Sequence, residues 1–215
     1  MNLPIDAYLV FSSETVREFV DLLDGVTVDV PFSISYHDDT GKEKTINAGE
    51  RRLNGEEAVA FVRHRSSYAE GDLGRLDAQM RFLCGVYREL PRLKKIDRAL
   101  AIYQKILPNL LTNLREKDII EIMMAFPKLG APSMIRLLRL PGEAVYTNGA
   151  WYYVLKRAAA EKMLANEFGV DTPFDTDELF TDPRYETLKN VYTAPDTAYR
   201  TESFDDVMRK RILHK

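Results

Sequence analysis

The sequence predicts an α/β domain, and three stretches carry that prediction. Residues 5–11 read as a strand. The amphipathic run 14–23, with Val16, Phe19, Val20 and Leu23 at helical spacing, reads as a helix. Val26–Val30 then alternates apolar and polar side chains and stops at Pro31, which reads as a second strand. Strand, helix, strand in that order, in a 215-residue chain with 45% hydrophobic and 29% charged residues, describes a globular protein with a substantial core.

Local chemistry sets the boundaries. Ser12 and Ser13 offer hydroxyls to the first helix, and Gly25 suits the left-handed position just past its end. Asp38-Asp39-Thr40-Gly41 is turn chemistry. Asn54 with Glu57 three residues on forms a capping box, and Leu53 can staple onto Ala58, so a helix should run to about Val62 with Ala58, Phe61 and Val62 buried. Residues 66–70 read as a short mobile loop. A long helix follows over 71–90, with Leu73, Leu76, Met80, Leu83, Tyr87 and Leu90 as its expected apolar stripe.

Beyond Pro91 the pattern is mainly helical, through Ile96, Leu100, Ile106, Ile119, Ile120, Ile122, Met123 and Phe126, with the Met123-Met124 pair read as core filling. Periodicity leaves 134–140 open between strand and short helix. Pro141-Gly142 is a turn, 151–155 an aromatic, β-branched strand, read as an edge strand packed on the core with the lining of a lipid or sugar groove as the alternative, and Arg157–Phe168 a helix closed by Gly169. From Val170 onward Asp, Thr, Pro and Tyr replace periodicity, as in a surface-wrapping or loosely ordered tail. Ser203 can start a short terminal helix that ends in the basic Arg209-Lys210-Arg211, by default a solvated charge run.

Composition excludes several functions. A net charge of −3 provides no bulk field for nucleic acid. One cysteine, Cys84, allows no intrachain disulfide and reads as a small core residue. No G-x-S-x-G elbow or phosphate-binding loop is present, and His37, His64 and His214 lack metal-site spacing. His64 lies between two cations, which disfavours its charged form and argues against a proton-carrying role.

The densest chemistry is Phe61-Val62-Arg63-His64-Arg65 followed by Gly71-Asp72-Leu73-Gly74-Arg75-Leu76-Asp77-Ala78-Gln79. Arg63, Arg65 and Arg75 carry planar forks that match carboxylate or phosphate oxygens in pairs. Asp72, Arg75 and Gln79 fall on one helical stripe beside them. The indicated ligand is an oxyanion. Ordinary surface ion pairs, with one arginine satisfying the last carbonyls of the preceding helix, explain the same residues without a ligand.

These motifs resemble the signature of the LytR-CpsA-Psr family. Its parts are F-V-R-H-R, D-x-G-R-x-x-x-Q, the Leu53-Asn54-Gly55-Glu56-Glu57-Ala58 segment, Asp24-Gly25-Val26-Thr27-Val28-Asp29-Val30-Pro31 and the opening Leu3-Pro4-Ile5-Asp6-Ala7-Tyr8, covering roughly residues 3 to 90 in family order. The resemblance implies a layered α/β/α domain with a central mixed sheet flanked by helices, over residues 1–169, and a polar C-terminal extension at 170–215. It also implies a phosphotransferase on the extracellular face of the bacterial cytoplasmic membrane. That enzyme moves a glycan polymer of the teichoic acid or capsular polysaccharide type from a polyprenyl-pyrophosphate carrier to peptidoglycan, with Mg2+.

By the same resemblance Arg63, Arg65 and Arg75 grip the pyrophosphate, and Asp72 and Gln79 are polar positions of the pocket. Asp72 is expected to orient an arginine. Two departures stand out. Ala78 occupies a position that is usually arginine, and the membrane helix and early Asp/Arg stretch of the family precede the first residue here. The expectation is an N-terminally truncated domain that lacks the family's metal ligands and membrane anchor, with exposed sheet edge that favours self-association. A non-catalytic module binding polyprenyl phosphate or an anionic glycan is the alternative. A regulator of envelope synthesis is another, although no basic recognition helix supports it.

Overall fold

A computed structural model describes residues 5–91, 101, 104–125, 135–170 and 182–215, apart from the side chains of 123 and 124. The expectations at Ile96, Leu100, Phe126 and the Met123-Met124 side chains lie outside that set. The chain folds as two compact units, one holding Asp6–Leu137 and Glu202–Lys215, the other centred on Leu138–Thr201.

The first unit carries the motifs. A short strand β1 (Leu9–Val10) leads to helix α1 (Ser13–Leu22), capped by the Ser12 side chain on the Thr15 amide. Only two of the residues expected as a strand pair with another strand, Leu111–Thr112. Side chains hold the chain just before them, since Tyr8 N–H donates to Asn113 Oδ1 and Thr112 Oγ1–H donates to the Tyr8 carbonyl. After α1 the backbone turns through Asp24 (φ 62°) and Gly25 (φ 92°) into β2 (Val26–Val30). The hairpin β3 (Ile34–His37) and β4 (Glu43–Ile46) closes on Asp38, whose Oδ1 accepts from the Thr40 and Lys42 amides. Strand β5 (Gly49–Leu53) then pairs antiparallel with β2, from Val26 opposite Leu53 to Val30 opposite Gly49.

Helix α2 (Gly55–Arg63) starts on the expected capping box between Asn54 and Glu57, and Asp21 of α1 accepts from the Gly55 amide at 2.7 Å. Helix α3 (Asp72–Glu89) packs on β2. Val20, Leu23, Val26, Val28, Val30, Ile34, Ile46, Leu53, Ala58, Phe61, Ala78 and Phe82 form one buried cluster. The fold is α/β. In place of one broad sheet, the strands of the described residues pair in two-stranded ladders.

The face that α3 buries differs from the expected stripe. Leu76 is 41% and Leu83 60% exposed, whereas Gly74, Asp77, Ala78, Arg81, Phe82, Cys84, Gly85 and Glu89 are buried. Small residues decide this. A Cβ at Gly85 would lie 2.7 Å from the Thr27 carbonyl, so the absence of a side chain there lets helix and strand backbones approach closely. The buried Arg81 then donates to the Asp29 carbonyl at 2.8 Å and pairs with its carboxylate at 3.2 Å. A buried charge with this many partners is tolerated, whereas an unpaired one is not. Cys84 is buried as expected, against Phe204 and Val207.

In the second unit Gly142–Thr147 and Ala150–Leu155 form an antiparallel hairpin, followed by the helix Arg157–Phe168 and its left-handed Gly169. The hairpin strand begins at Gly142, so the expected turn at Pro141-Gly142 ends one residue earlier. The expected packing of the aromatic strand holds at Val154, which is buried with Leu188 and Tyr192, while Trp151 is 72% exposed. Among the described residues after 170, helix Glu186–Tyr192 buries Leu188 and Tyr192, and in the first unit helix Phe204–Arg209 buries Phe204 and Val207. Ser203 caps the latter as its side chain predicts, whereas the seven-residue Glu186–Tyr192 is too short for periodicity to mark it in the sequence.

Gly55→Ala tests the α1–α2 packing. A Cβ there would lie 2.3 Å from the Arg17 carbonyl, so overpacking should destabilise the unit by about 1–3 kcal/mol and lower the thermal midpoint.

Candidate functional site

The site is assembled where α2 ends and α3 begins. Helix α2 stops because His64 takes an extended conformation (φ −58°, ψ 136°), which turns the chain out of the helix after Arg63. That leaves terminal carbonyls without helical partners. Gln79 Nε2 donates to one of them, Val62 O, at 2.9 Å and so ties α3 to the end of α2. Arg63 is exposed and makes no ion pair among the described residues, so it does not cap its own helix.

Asp72 is the first residue of α3, where the helix dipole favours a carboxylate. Its Oδ1 forms ion pairs with Arg65 Nε at 3.1 Å and Arg75 Nη2 at 3.0 Å. The structure thus brings together three of the five expected residues through one oxygen. All three remain accessible, with side-chain exposures of 63% for Arg65, 51% for Asp72 and 34% for Arg75. At such exposure the pairs add little stability. What they supply is orientation: each guanidinium gives one edge to Asp72 and keeps other N–H donors for a ligand. Arg75 Nε is buried and without a partner.

Beneath the cluster, residues 66–70 are anchored rather than mobile. Tyr68 is fully buried, and its ring lies so near α3 that a Cβ at Gly74 would be 2.6 Å from Tyr68 Cβ. This accounts for the glycine of the Asp-Leu-Gly-Arg motif. Phe32, His64 and Tyr68 form an aromatic group, with centroids 6.3 Å apart for Phe32–His64, 5.2 Å for Phe32–Tyr68 and 5.5 Å for His64–Tyr68. Burial pushes the Tyr68 hydroxyl up to about 12. Burial, and secondarily the neighbouring His214, holds the His64 imidazole below its ordinary value of 6.5. The flanking arginines are therefore not the main reason that it stays neutral. Sequence reasoning passed over Tyr68 and Phe32, for which the one available signal was an aromatic residue inside an otherwise polar loop.

Among the described residues no three His, Cys, Asp or Glu side chains converge, and Oδ1 of Asp72 is engaged by two guanidiniums. Nor is any described helix long and apolar enough to cross a membrane.

Fold and site together define an α/β domain that presents an arginine cluster at a helix N-terminus. The model of the LytR-CpsA-Psr family (LytR_cpsA_psr) matches residues 1–168, and the chain belongs to that family. It is 29% identical over 159 residues to the polyisoprenyl-teichoic acid–peptidoglycan teichoic acid transferase TagU of Bacillus subtilis, a match covering 74% of this chain and 50% of TagU. The crystal structure of B. subtilis TagV is similar at 27% identity and a TM-score of 0.59, covering 70% of this chain and 58% of that one. A Streptococcus agalactiae protein of known structure, 21% identical with a TM-score of 0.65 over 81% of this chain and 60% of its own, shares the fold. The chain spans about half the length of the curated relatives that it matches.

His64 gives the site a pH signature. Below about pH 6.5 the unfolded imidazole takes up a proton that the folded one resists, so its contribution is intact above that value and lost as pH falls toward the folded value. Aspartates such as Asp39 and Asp118 are held below their ordinary 3.8 and act only in more acid solution. Urea unfolding at about pH 7.5 and 5.5 should show a loss of stability that His64→Gln reduces.

Proposed function

We propose that this chain forms a large part of a cell-envelope phosphotransferase domain. It binds the diphosphate of a polyprenyl-linked glycan of the teichoic acid or capsular polysaccharide type and serves its transfer to peptidoglycan. The observation that carries this reading is the Asp72 oxygen that holds Arg65 and Arg75 side by side, with Arg63 nearby in sequence and exposed. The names of the relatives, transferases of polyisoprenyl-linked teichoic acid, supply the substrate class. The reading places its action at the cell envelope, on the outer face of the cytoplasmic membrane where peptidoglycan lies.

In such a transfer the acceptor hydroxyl oxygen forms a bond to the glycan-side phosphorus, its proton is lost to a base, and the bond to the lipid-side phosphate breaks, so that polyprenyl phosphate leaves. Charge builds on nonbridging and leaving oxygens. Guanidiniums already oriented by Asp72 stabilise that charge without reorganising. Asp72 pairs with Arg65 and Arg75, which supports a positioning role for it rather than proton abstraction. Gln79 acts behind it by holding α3 against α2. Mg2+, when bound, would neutralise diphosphate charge.

One observation favours the second reading, a module that binds the lipid diphosphate without transferring it. Ala78, where the family usually has arginine, is fully buried, so one cationic group of the usual set is replaced by core packing. Release of lipid phosphate separates the two readings.

Titration of a short-chain polyprenyl pyrophosphate into the chain, with and without Mg2+, tests the site. Arg65→Ala and Arg75→Ala should each cost more than about 1.5 kcal/mol, or roughly tenfold in affinity, with unfolding midpoints maintained. Affinity indifferent to both substitutions would remove the diphosphate from this cluster.

A further inference from the structure

Residues 202–215 lie beyond the part of the chain that the family model matches, yet they belong to the same compact unit as the arginine cluster. They run along α3 toward its start. Phe204 and Val207 pack on Cys84, beside Met80 and Tyr87. Next, Lys210 pairs with Asp77 at 2.9 Å and Glu202 at 3.0 Å, and Arg81 donates to the Lys210 carbonyl. The last residues reach the loop at 66–70. Ala69 N–H donates to Leu213 O at 3.0 Å, Lys215 N–H donates to Ser67 O at 2.9 Å, and Tyr68 and His214 form an antiparallel bridge. His214 also sets its ring perpendicular to Phe32, with centroids 4.5 Å apart.

The loop held in this way joins Arg65 to Asp72. Fixing its residues in one conformation costs entropy at every residue, which the single exposed Arg65–Asp72 pair cannot offset. Buried Tyr68 fixes the middle of the loop, and the backbone bonds from 213–215 fix its two neighbours, Ser67 and Ala69. We propose that residues 213–215 are a positioning strap, which shapes the loop between the two arginine motifs and so sets the geometry in which Arg65 and Arg75 meet an oxyanion. The ligand in this inference rests on the diphosphate reading above; the ordering of the loop does not.

The test uses the whole chain with inorganic pyrophosphate as probe. Lys215→Pro removes the donor to Ser67, His214→Ala removes the ring against Phe32, and His214→Phe restores an aromatic edge. Hydrogen exchange is read at Gly71 and Leu73, whose amides donate to Tyr68 O and Glu70 O and make no bond to the strap. Exchange at both should rise about tenfold in Lys215→Pro and His214→Ala and return in His214→Phe, with exchange in α1 unchanged. Pyrophosphate affinity should weaken roughly threefold in the first two variants and recover in the third. Unchanged exchange at Gly71 and Leu73 overturns the strap, and so does faster exchange with unaltered affinity. An unsubstituted chain that fails to bind pyrophosphate would count against the diphosphate reading, and exchange alone then decides the strap.

Discussion

Three segments of this chain meet at the guanidinium of Arg81. It is 2% exposed, and it bonds at once to the backbone and carboxylate of Asp29 on β2 and to the Lys210 carbonyl of the C-terminal arm. Burial lowers its pKa, against the pull of Asp29, yet an arginine stays charged in any accessible environment. The charge therefore has to be satisfied wherever α3 places it. With the close backbone approach at Gly85, that requirement sets the rotation of α3 about its axis: the Arg81 face turns to the strand, and Leu76 and Leu83 turn to solvent. A helix rotated onto its leucine stripe would turn Arg81 toward water and lose its bonds to Asp29 and the Lys210 carbonyl.

The site depends on the same rotation. With Arg81 and Gly85 against β2, Asp72 and Arg75 emerge at the other end of α3 beside the last turn of α2, and Gln79 can reach Val62 O. Gly74 leaves room for Tyr68, which pins the loop that carries the chain from Arg65 back to Asp72. The binding groups are thus exposed and weakly paired, while what holds them in place is buried. An anion site benefits from that division, because exposed guanidiniums exchange partners easily and a rigid base keeps their spacing.

The Lys210 carbonyl and ammonium both belong to this architecture, which changes the meaning of the basic run Arg209-Lys210-Arg211. Lys210 is an internal counterion for Asp77 and Glu202. The pair with Asp77 spans 133 positions and leaves no trace in local composition, so by composition alone the run is an ordinary solvated charge patch. The apolar stripe assigned to α3 went wrong for a related reason: hydropathy counts side chains, and here the deciding contacts are made by glycines that have none.

What the sequence determined by itself is local or written in motifs. The capping box at Asn54, the Ser12 and Ser203 caps, the end of β2 at Pro31, the left-handed Gly169 and the ordered arginine motifs all follow from backbone chemistry within a few residues, or from a signature carried residue by residue. Tertiary structure alone decided which face of α3 is buried, that one Asp72 oxygen serves two arginines, and that residues 213–215 close over the loop between them. Those outcomes turn on close backbone approach and on compensation of buried charge between distant segments. Both are set by distances in space, which one-dimensional periodicity does not contain.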